Sequence, residues 1–281
     1  DDIDVVILDF RLNSDDFESP NIEDISSIQL LKEIKKENPG IQVIVFSATN
    51  KIWNLQALQD SGADRFVIKD VPKSSGFFKF ATNNISNFLN IFSDSINKIF
   101  LKDFYKSLFQ VRYNIVACEY EDDTDYETFL MELQSQIKII NQMGRQFNSK
   151  LSLSLDVIFL NCYNLMEMFR NQYLVENNYR FYLGIEQVPL HRYKYKNGLI
   201  EDEGEFTRIS KNDAPSWFQC IIGLLVDYFQ VIDFKDSKIK TTWQVKDWRN
   251  NYIHKDKHFF YKSEVLKIAD LMEKLTSSMK E

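Results

Sequence analysis

Three short apolar runs separated by helical segments occupy the first seventy residues of the chain. The runs are Asp4–Phe10 (DVVILDF), Ile41–Phe46 (IQVIVF) and Arg65–Lys69 (RFVIK), and β-branched side chains are frequent in them. Strands that read as continuous apolar segments are typical of parallel sheets, in which both faces are covered. The alternation therefore predicts a βαβαβ unit with right-handed crossovers, and hence an α/β fold for this part of the chain.

The segments between these runs have helical spacing and end at turn residues. In Ile25–Lys36 (ISSIQLLKEIKK) apolar residues recur at three-residue intervals, and the turn at residues 38–40 (NPG) ends the pattern. Trp53–Asp60 reads as a shorter helix that is closed by Gly62. Each crossover therefore has room for one helix, as a parallel βαβ unit requires.

Apolar residues recur every three or four positions through most of the chain after about Phe77, which predicts helices. An exception lies near residues 179–210, where Gly and Pro return and Asn197-Gly198 stands between Tyr- and Lys-rich flanks, as in a β-hairpin. We therefore predict an α/β domain over residues 1–76 and one long connecting helix over 77–113. A helical domain over 114–281 follows, with an inserted hairpin or loop region near 179–210.

Charge is distributed unevenly along the chain. The net charge is −7, but residues 1–24 hold nine Asp/Glu against one Arg, a balance of −8, so the remainder is close to neutral at +1. Residues 233–262 hold eight Lys/Arg against four Asp, a local balance of +4. Phosphate binding needs a local excess of Lys and Arg, so the acidic net charge argues against a nucleic-acid partner at first sight. Residues 233–262 are the segment where such an excess occurs. A solvated helix face is the simpler interpretation of that excess.

The cysteines and the hydropathy indicate the compartment. Cys118, Cys162 and Cys220 lie far apart and form no CxxC pair, so we expect neither a disulfide framework nor a structural zinc site. There is no run of eighteen apolar residues and no charged-then-apolar leader. We therefore expect a cytoplasmic protein that has no membrane as a partner.

Three chemically active side chains follow the predicted strands. Asp9 ends the first run, Ser47 follows the second and Lys69 ends the third. Because the carboxyl ends of parallel strands meet at one edge of a sheet, these groups should lie close together. A carboxylate, a hydroxyl and an ammonium in that arrangement can accept a phosphoryl group, donate to its oxygens and neutralise its charge.

The motifs that hold these residues, LDF, FSAT and GADRFVIK, resemble in order and spacing the receiver domains of two-component response regulators, over residues 3–72. The resemblance implies a flavodoxin-like fold in which Asp9 is phosphorylated by a histidine kinase. It further implies that Ser47 is the switch hydroxyl, Phe66 the rotating aromatic and Lys69 the phosphate partner. In that family an acidic pair on the first strand holds Mg²⁺, for which Asp9 is the ligand that this sequence retains.

The match begins at the third strand of the receiver fold. In the family strand order 2-1-3-4-5, this makes the run DVVILDF a sheet edge, and a long apolar edge is prone to pair with another copy. The loop after Asp9 is long and acidic, and Asp70 stands where the family usually has Pro. Two interpretations stay open: phosphorylation in an intact parent protein, or a partial receiver-like fold that serves as a dimerisation module.

A second group of residues lies in the stretch WRNNYIHK, near the end of the chain. On a helix Asn250 and His254 share a face, and Arg249 lies about 100° to one side. Arg can clamp a phosphate, Asn can position it and His can move a proton near neutral pH. Such a set is suited to cleavage of RNA by its own 2′-hydroxyl, without a metal. An amphipathic helix with a surface His is the simpler interpretation.

This stretch resembles the signature of the HEPN family, in which four to six residues separate an Arg from a His and a polar residue commonly follows the Arg. The resemblance covers about Leu101 to Met279. The resemblance implies a helical bundle that forms a homodimer with two copies of the motif facing each other. It implies a metal-independent endoribonuclease without a cofactor, in which Arg249, Asn250 and His254 are catalytic and RNA is the substrate. Some HEPN domains only bind. The alternative function is therefore a non-catalytic signalling or dimerisation module that binds protein or nucleic acid.

Together the two resemblances predict a cytoplasmic response regulator in which a receiver-like domain controls a HEPN output domain. Phosphorylation of Asp9 is expected to change packing against the helix at 77–113 and so to alter the alignment of two protomers.

Overall fold

The chain divides into two compact units, Asp1–Lys106 and Ser107–Glu281. The structure is a computed structural model. It describes residues 3–10, 24–47, 52–68, 77–117, 124–147, 153–175, 180–183, 186–189, 193–196, 199–200, 216–255 and 259–280. Within these ranges the first part of the chain is an α/β structure with a parallel sheet, and a mainly helical part follows, as the sequence predicts. No helix in the described ranges is long and apolar enough to cross a membrane.

The first unit is built around a parallel sheet of three strands in the order β1-β2-β3. Neighbouring strands pair in the register Asp9↔Phe46 and Ser47↔Ile68. In chain order its elements are β1 (Val5–Asp9), α1 (Ser26–Glu37), β2 (Gln42–Ser47), α2 (Ile52–Asp60), β3 (Arg65–Ile68), α3 (Phe77–Ile96) and the start of α4 (Phe100–Val116).

One face of the sheet packs against α1 and α2. Leu8 of β1 and Val45 of β2 join Ile28, Leu31 and Leu58 of the two helices in one hydrophobic core. Full burial of each such side chain is worth roughly 1.5–3 kcal/mol, so this layer holds the strands in place. Among the described strands β1 lies at the edge predicted for it, and its Ile7 is 53% exposed.

The turn after α1 fixes the start of β2. The Lys35 Nζ lies 2.6 Å from Asp64 Oδ2 and also donates to the carbonyls of Pro39 and Ile41. Asp64 Oδ2 accepts a hydrogen bond from the Val43 backbone at 2.7 Å. A largely buried pair with these added hydrogen bonds is strongly destabilised when one partner is removed. It therefore anchors the edge of β2 that pairs with β3.

The predicted continuous helix over 77–113 is wrong, because α3 ends at Ile96 and α4 begins at Phe100. Between them the backbone tightens into three-residue hydrogen bonds, from Lys98 N to Ser95 O at 2.9 Å and from Ile99 N to Ile96 O at 3.3 Å. The sequence SDSIN precedes the break, and Ser, Asp and Asn side chains compete with helical backbone hydrogen bonds.

Helix α3 packs with the sheet instead of forming a connector. The Phe88 ring lies 5.5 Å from Phe46 of β2, and Asp94 lies 3.9 Å from Arg65 of β3. The second face of a parallel sheet needs such a cover. The boundary between the compact units accordingly falls inside α4, not at the predicted end of the first domain at residue 76.

The second unit is mainly helical and is built around α6. Helix α6 contacts α5, α7 and α9, and its Phe159, Leu165 and Phe169 are fully buried. After α4 its elements are α5 (Thr124–Arg145), α6 (Leu153–Tyr173), β4 (Leu174–Val175), β5 (Arg180–Leu183), β6 (Glu186–Pro189), β7 (Tyr195–Lys196), β8 (Leu199–Ile200), α7 (Trp217–Gly223), a π-helical turn (Leu224–Tyr228), α8 (Ser237–Lys255), α9 (Lys262–Thr276) and a 3₁₀ turn (Ser277–Lys280).

The segment predicted as a hairpin or loop region near 179–210 contains short antiparallel strand pairs. Strand β5 pairs with β6 in the register Phe181↔Val188, and β7 pairs with β8 in the register Tyr195↔Ile200. The Asn197-Gly198 dipeptide and residues 201–210 lie outside the described residues.

Candidate functional site

Helix α8 positions the Arg249, Asn250 and His254 side chains. It begins after Asp236, whose Oδ1 accepts a hydrogen bond from Lys238 N at 2.8 Å as an N-terminal cap. One stripe of the helix is fully buried and anchors it to the bundle. Its members are Ile239, Thr242 and Val245.

The second half of α8 rests on an aromatic cluster. Phe159 of α6 and Phe260 stack with their ring centroids 3.9 Å apart. The Trp248 ring lies 6.4 Å from Phe159, and the Tyr252 ring lies 5.1 Å from Phe260. Aromatic rings with few rotatable bonds make a stiff support, so the helix turn that carries the motif is well fixed.

Arg249 is the outer member of a three-layer stack. Its guanidinium carbon lies 5.3 Å from the centroid of the Tyr163 ring, and Tyr163 stacks on Trp217 at 4.6 Å. The Arg249 Nη1 also lies 3.4 Å from Asn250 Oδ1. The cation–π contact restricts the long Arg side chain to one region of space. It leaves Arg249 half-buried, with Asn250 beside it.

His254 lies in the last turn of α8 and is exposed. Asn250 is one turn earlier on the same face, so the predicted sharing of a face holds on the observed helix. Among the residues that the structure describes, the His254 imidazole makes no hydrogen bond or ion pair. The His254 imidazole therefore faces solvent, whereas Arg249 and Asn250 contact each other within one chain.

Behind Arg249 lies a polar cluster on α6 and α7 that the linear motif does not reveal. Arg170 Nη1 lies 3.2 Å from Glu167 Oε2, and Glu167 acts electrostatically on the Tyr163 hydroxyl. Burial raises the pKa of Tyr163, Glu167 adds to that rise, and Arg249 and Arg170 oppose it. Its hydroxyl therefore stays protonated at neutral pH. The sequence signal was only a Glu–Arg pair three residues apart on a helix, which is too common to single out.

Cys220 borders the same cluster and is fully buried. Burial raises the pKa of its thiol to about 11, and the nearby Arg170 opposes part of that rise. Because the thiolate is the reactive form of cysteine, Cys220 is a packing residue and no nucleophile at neutral pH.

The predicted phosphorylation site lies in the first unit. Asp9 is exposed at the carboxyl end of β1, and Ser47 is buried at the carboxyl end of the neighbouring β2. The structure thus brings these two residues to one edge of the sheet. Phe66 pairs with Val45 within the sheet and is half-buried against the core. Lys69 lies outside the described residues, directly after Ile68, the partner of Ser47.

A magnesium site is only partly provided by the described residues. Asp9 is the one carboxylate at the described ends of the three strands, and Mg²⁺ takes one or two carboxylates together with substrate phosphates. Across the described ranges no group of three His, Cys, Asp or Glu side chains is arranged to hold a metal ion.

Comparison of the chain with protein-family models, curated proteins and solved structures gave no match.

Proposed function

We propose that the chain is a signalling protein of the response-regulator type, with a receiver-like unit that controls a HEPN-like metal-independent endoribonuclease. The observation that carries the proposal is the arrangement on α8. An exposed His254 imidazole lies one turn from Asn250, and the Arg249 guanidinium is held beside Asn250 by the Tyr163 ring. A proton-transfer group and a fixed phosphate clamp thus stand on either side of Asn250 on one helix.

In the proposed reaction His254 removes the proton of an RNA 2′-hydroxyl. The 2′-oxygen then forms a bond to the adjacent phosphorus, and the bond from phosphorus to the 5′-oxygen breaks. The products are a 2′,3′-cyclic phosphate and a 5′-hydroxyl that takes up a proton. Arg249 stabilises the charge that builds on the phosphoryl oxygens, and Asn250 orients the phosphate.

A homodimer supplies the rest of the site in this proposal. One copy of the motif offers one imidazole, whereas the reaction needs a base for the 2′-hydroxyl and an acid for the leaving oxygen. Two facing copies supply both, and they double the positive charge around residues 233–262 of an acidic chain.

The test is cleavage of single-stranded RNA by the purified chain in the presence of EDTA. We expect cyclic-phosphate and 5′-hydroxyl ends from the wild type, and a rate at least about a hundredfold lower for His254→Ala. Asn251→Ala is the matched control for Asn250→Ala, because Asn251 bonds Asp247 along α8. Equal cleavage by the wild type and His254→Ala would sink the nuclease proposal. So would no cleavage by either protein, both untreated and after incubation with acetyl phosphate and Mg²⁺ before EDTA is added.

Control by phosphorylation is the second part of the proposal. The exposed Asp9 and the buried Ser47 end neighbouring strands at the carboxyl end of the sheet, which supports it, because a carboxylate there can accept a phosphoryl group and a hydroxyl can orient it. Incubation with acetyl phosphate and Mg²⁺ should add one phosphoryl group to the wild type and none to Asp9→Asn, as measured by intact mass. Equal incorporation by both proteins would remove Asp9 from this role.

A non-catalytic assembly module is the alternative function, and two observations favour it. Arg249 is half-buried on Tyr163, which is also what a purely packing role for the guanidinium requires. The exposed Ile7 on the edge strand β1 further offers a surface for protein association. In this case dimerisation would persist while RNA cleavage is absent.

A further inference from the structure

A small cavity lies between α4 and α5 in the helical unit, away from the α8 motif. Its volume is about 100 Å³. An engineered apolar cavity of about 150 Å³ accommodates benzene, so this one has room for a short aliphatic fragment. Both walls follow from helical spacing: Leu108, Arg112 and Val116 recur every four residues on α4, and Gln134 and Lys138 do so on α5.

The floor of the cavity is apolar. Leu108 and Ile137 are 1% and 4% exposed, whereas Val116, at the mouth, is 58% exposed. An apolar floor beneath an open mouth gains free energy when an aliphatic group replaces the water there. A purely polar ion would leave that surface uncovered.

The rim of the cavity is positively charged. Arg112 and Lys138 stand on the two facing helices, and both side chains are exposed. Among the described residues neither makes a hydrogen bond or an ion pair, and no acidic residue lines the cavity. Within the described ranges this pair of cations has no acidic partner, although the net charge of the chain is −7. Their local field favours an anion at the mouth.

We propose that this cavity binds a small aliphatic carboxylate. The carboxylate lies between Arg112, whose planar fork matches its two oxygens, and Lys138. The hydrocarbon chain covers Leu108 and Ile137, and the Gln134 amide donates to the carboxylate from the α5 wall. The site is separate from the proposed RNA chemistry and does not depend on it.

Calorimetric titration of the full chain with pentanoate tests the proposal, with pentanol and inorganic phosphate as the two partial ligands. Pentanoate should bind saturably at one site. Pentanol lacks the negative charge and phosphate lacks the hydrocarbon tail, so both should bind more weakly than pentanoate. The double variant Arg112→Gln/Lys138→Gln should weaken binding at least about tenfold, because charge-assisted hydrogen bonds are lost. Lys106→Gln, an exposed lysine of the same helix that does not line the cavity, should bind as the wild type does.

A second variant blocks the cavity without any change in the charge of the protein. Val116→Trp changes an exposed position and should block the mouth without disturbing the buried core, so pentanoate binding should be lost while Lys106→Gln retains it. No saturable binding of pentanoate would overturn the proposal. Phosphate binding as tight as that of pentanoate would do the same, and so would an equal loss of affinity in Lys106→Gln.

Discussion

The Arg249 guanidinium is held by a contact that the linear motif does not contain. The spacing of Asn250 and His254 is a property of the helix and can be read from the sequence alone. The support under Arg249 comes from Tyr163 on α6 and Trp217 on α7, which are distant in sequence and stack only in the folded bundle. The motif residues were thus predictable, whereas the group that orients them was not.

Tyr163 is accordingly a positioning residue for Arg249. We expect Tyr163→Leu to lower RNA cleavage about tenfold, mainly through kcat, because a cation–π contact is worth about 1 kcal/mol at such a site and fixes the clamp. Tyr163→Phe keeps the ring and removes only the hydroxyl, so it should retain most activity. Measurement of kcat and KM for both variants and the wild type tests this role of Tyr163. Equal losses for Leu and Phe would assign the effect to the hydroxyl.

At the scale of elements, the strands β1, β2 and β3 and the helices α1 and α2 lie within two residues of their predicted bounds. These elements carry local signals: an apolar run, a helical stripe, or a Gly or Pro at the end. The break between α3 and α4 was missed because apolar spacing continues through it, with Ile96, Ile99 and Phe100 close together. Its position is set by polar side chains and by the packing of α3 on the sheet.

The turn after α1 approaches the first turn of α4 so closely that only glycine fits. A Cβ at Gly40 would collide with the backbone of Leu101 and Lys102. Asn38 Nδ2 donates to Lys102 O at 3.0 Å, and Gly40 N donates to Asn38 Oδ1 at 2.8 Å, so the turn and the helix are tied together there. The atoms of Leu101 and Lys102 that this Cβ would meet are backbone atoms, which cannot rotate away as a side chain can.

We therefore expect Gly40→Ala to lower the free energy of unfolding by about 2 kcal/mol, a typical cost of overpacking. Chemical denaturation followed by circular dichroism measures it. Lys36→Ala, an exposed change on the last turn of α1, is the control and should stay within about 0.5 kcal/mol of the wild type. A Gly40→Ala protein as stable as this control would mean that α4 does not pack against the turn.

At the scale of the whole molecule, the two proposed functions need different contacts between copies. A ribonuclease needs two α8 motifs face to face, whereas an assembly module can join copies through the edge strand β1. Each surface presents an exposed isoleucine: Ile253, beside His254 on α8, is 45% exposed, and Ile7 on β1 is 53% exposed. A lysine at either position places a charge on a surface that association would bury, and neither change touches the core.

We expect Ile253→Lys to raise the dimer dissociation constant at least about tenfold, the effect of one desolvated charge, and to lower RNA cleavage in parallel. Ile7→Lys should leave both properties unchanged. Sedimentation velocity over a concentration series measures the dimer dissociation constant, and the EDTA assay measures RNA cleavage. Ile85→Lys, on the exposed face of α3, is the control for added charge. The opposite pattern, in which Ile7→Lys dissociates the dimer and Ile253→Lys does not, would mean that copies join at the sheet edge. The α8 motifs would then not face each other, and the assembly function would be favoured.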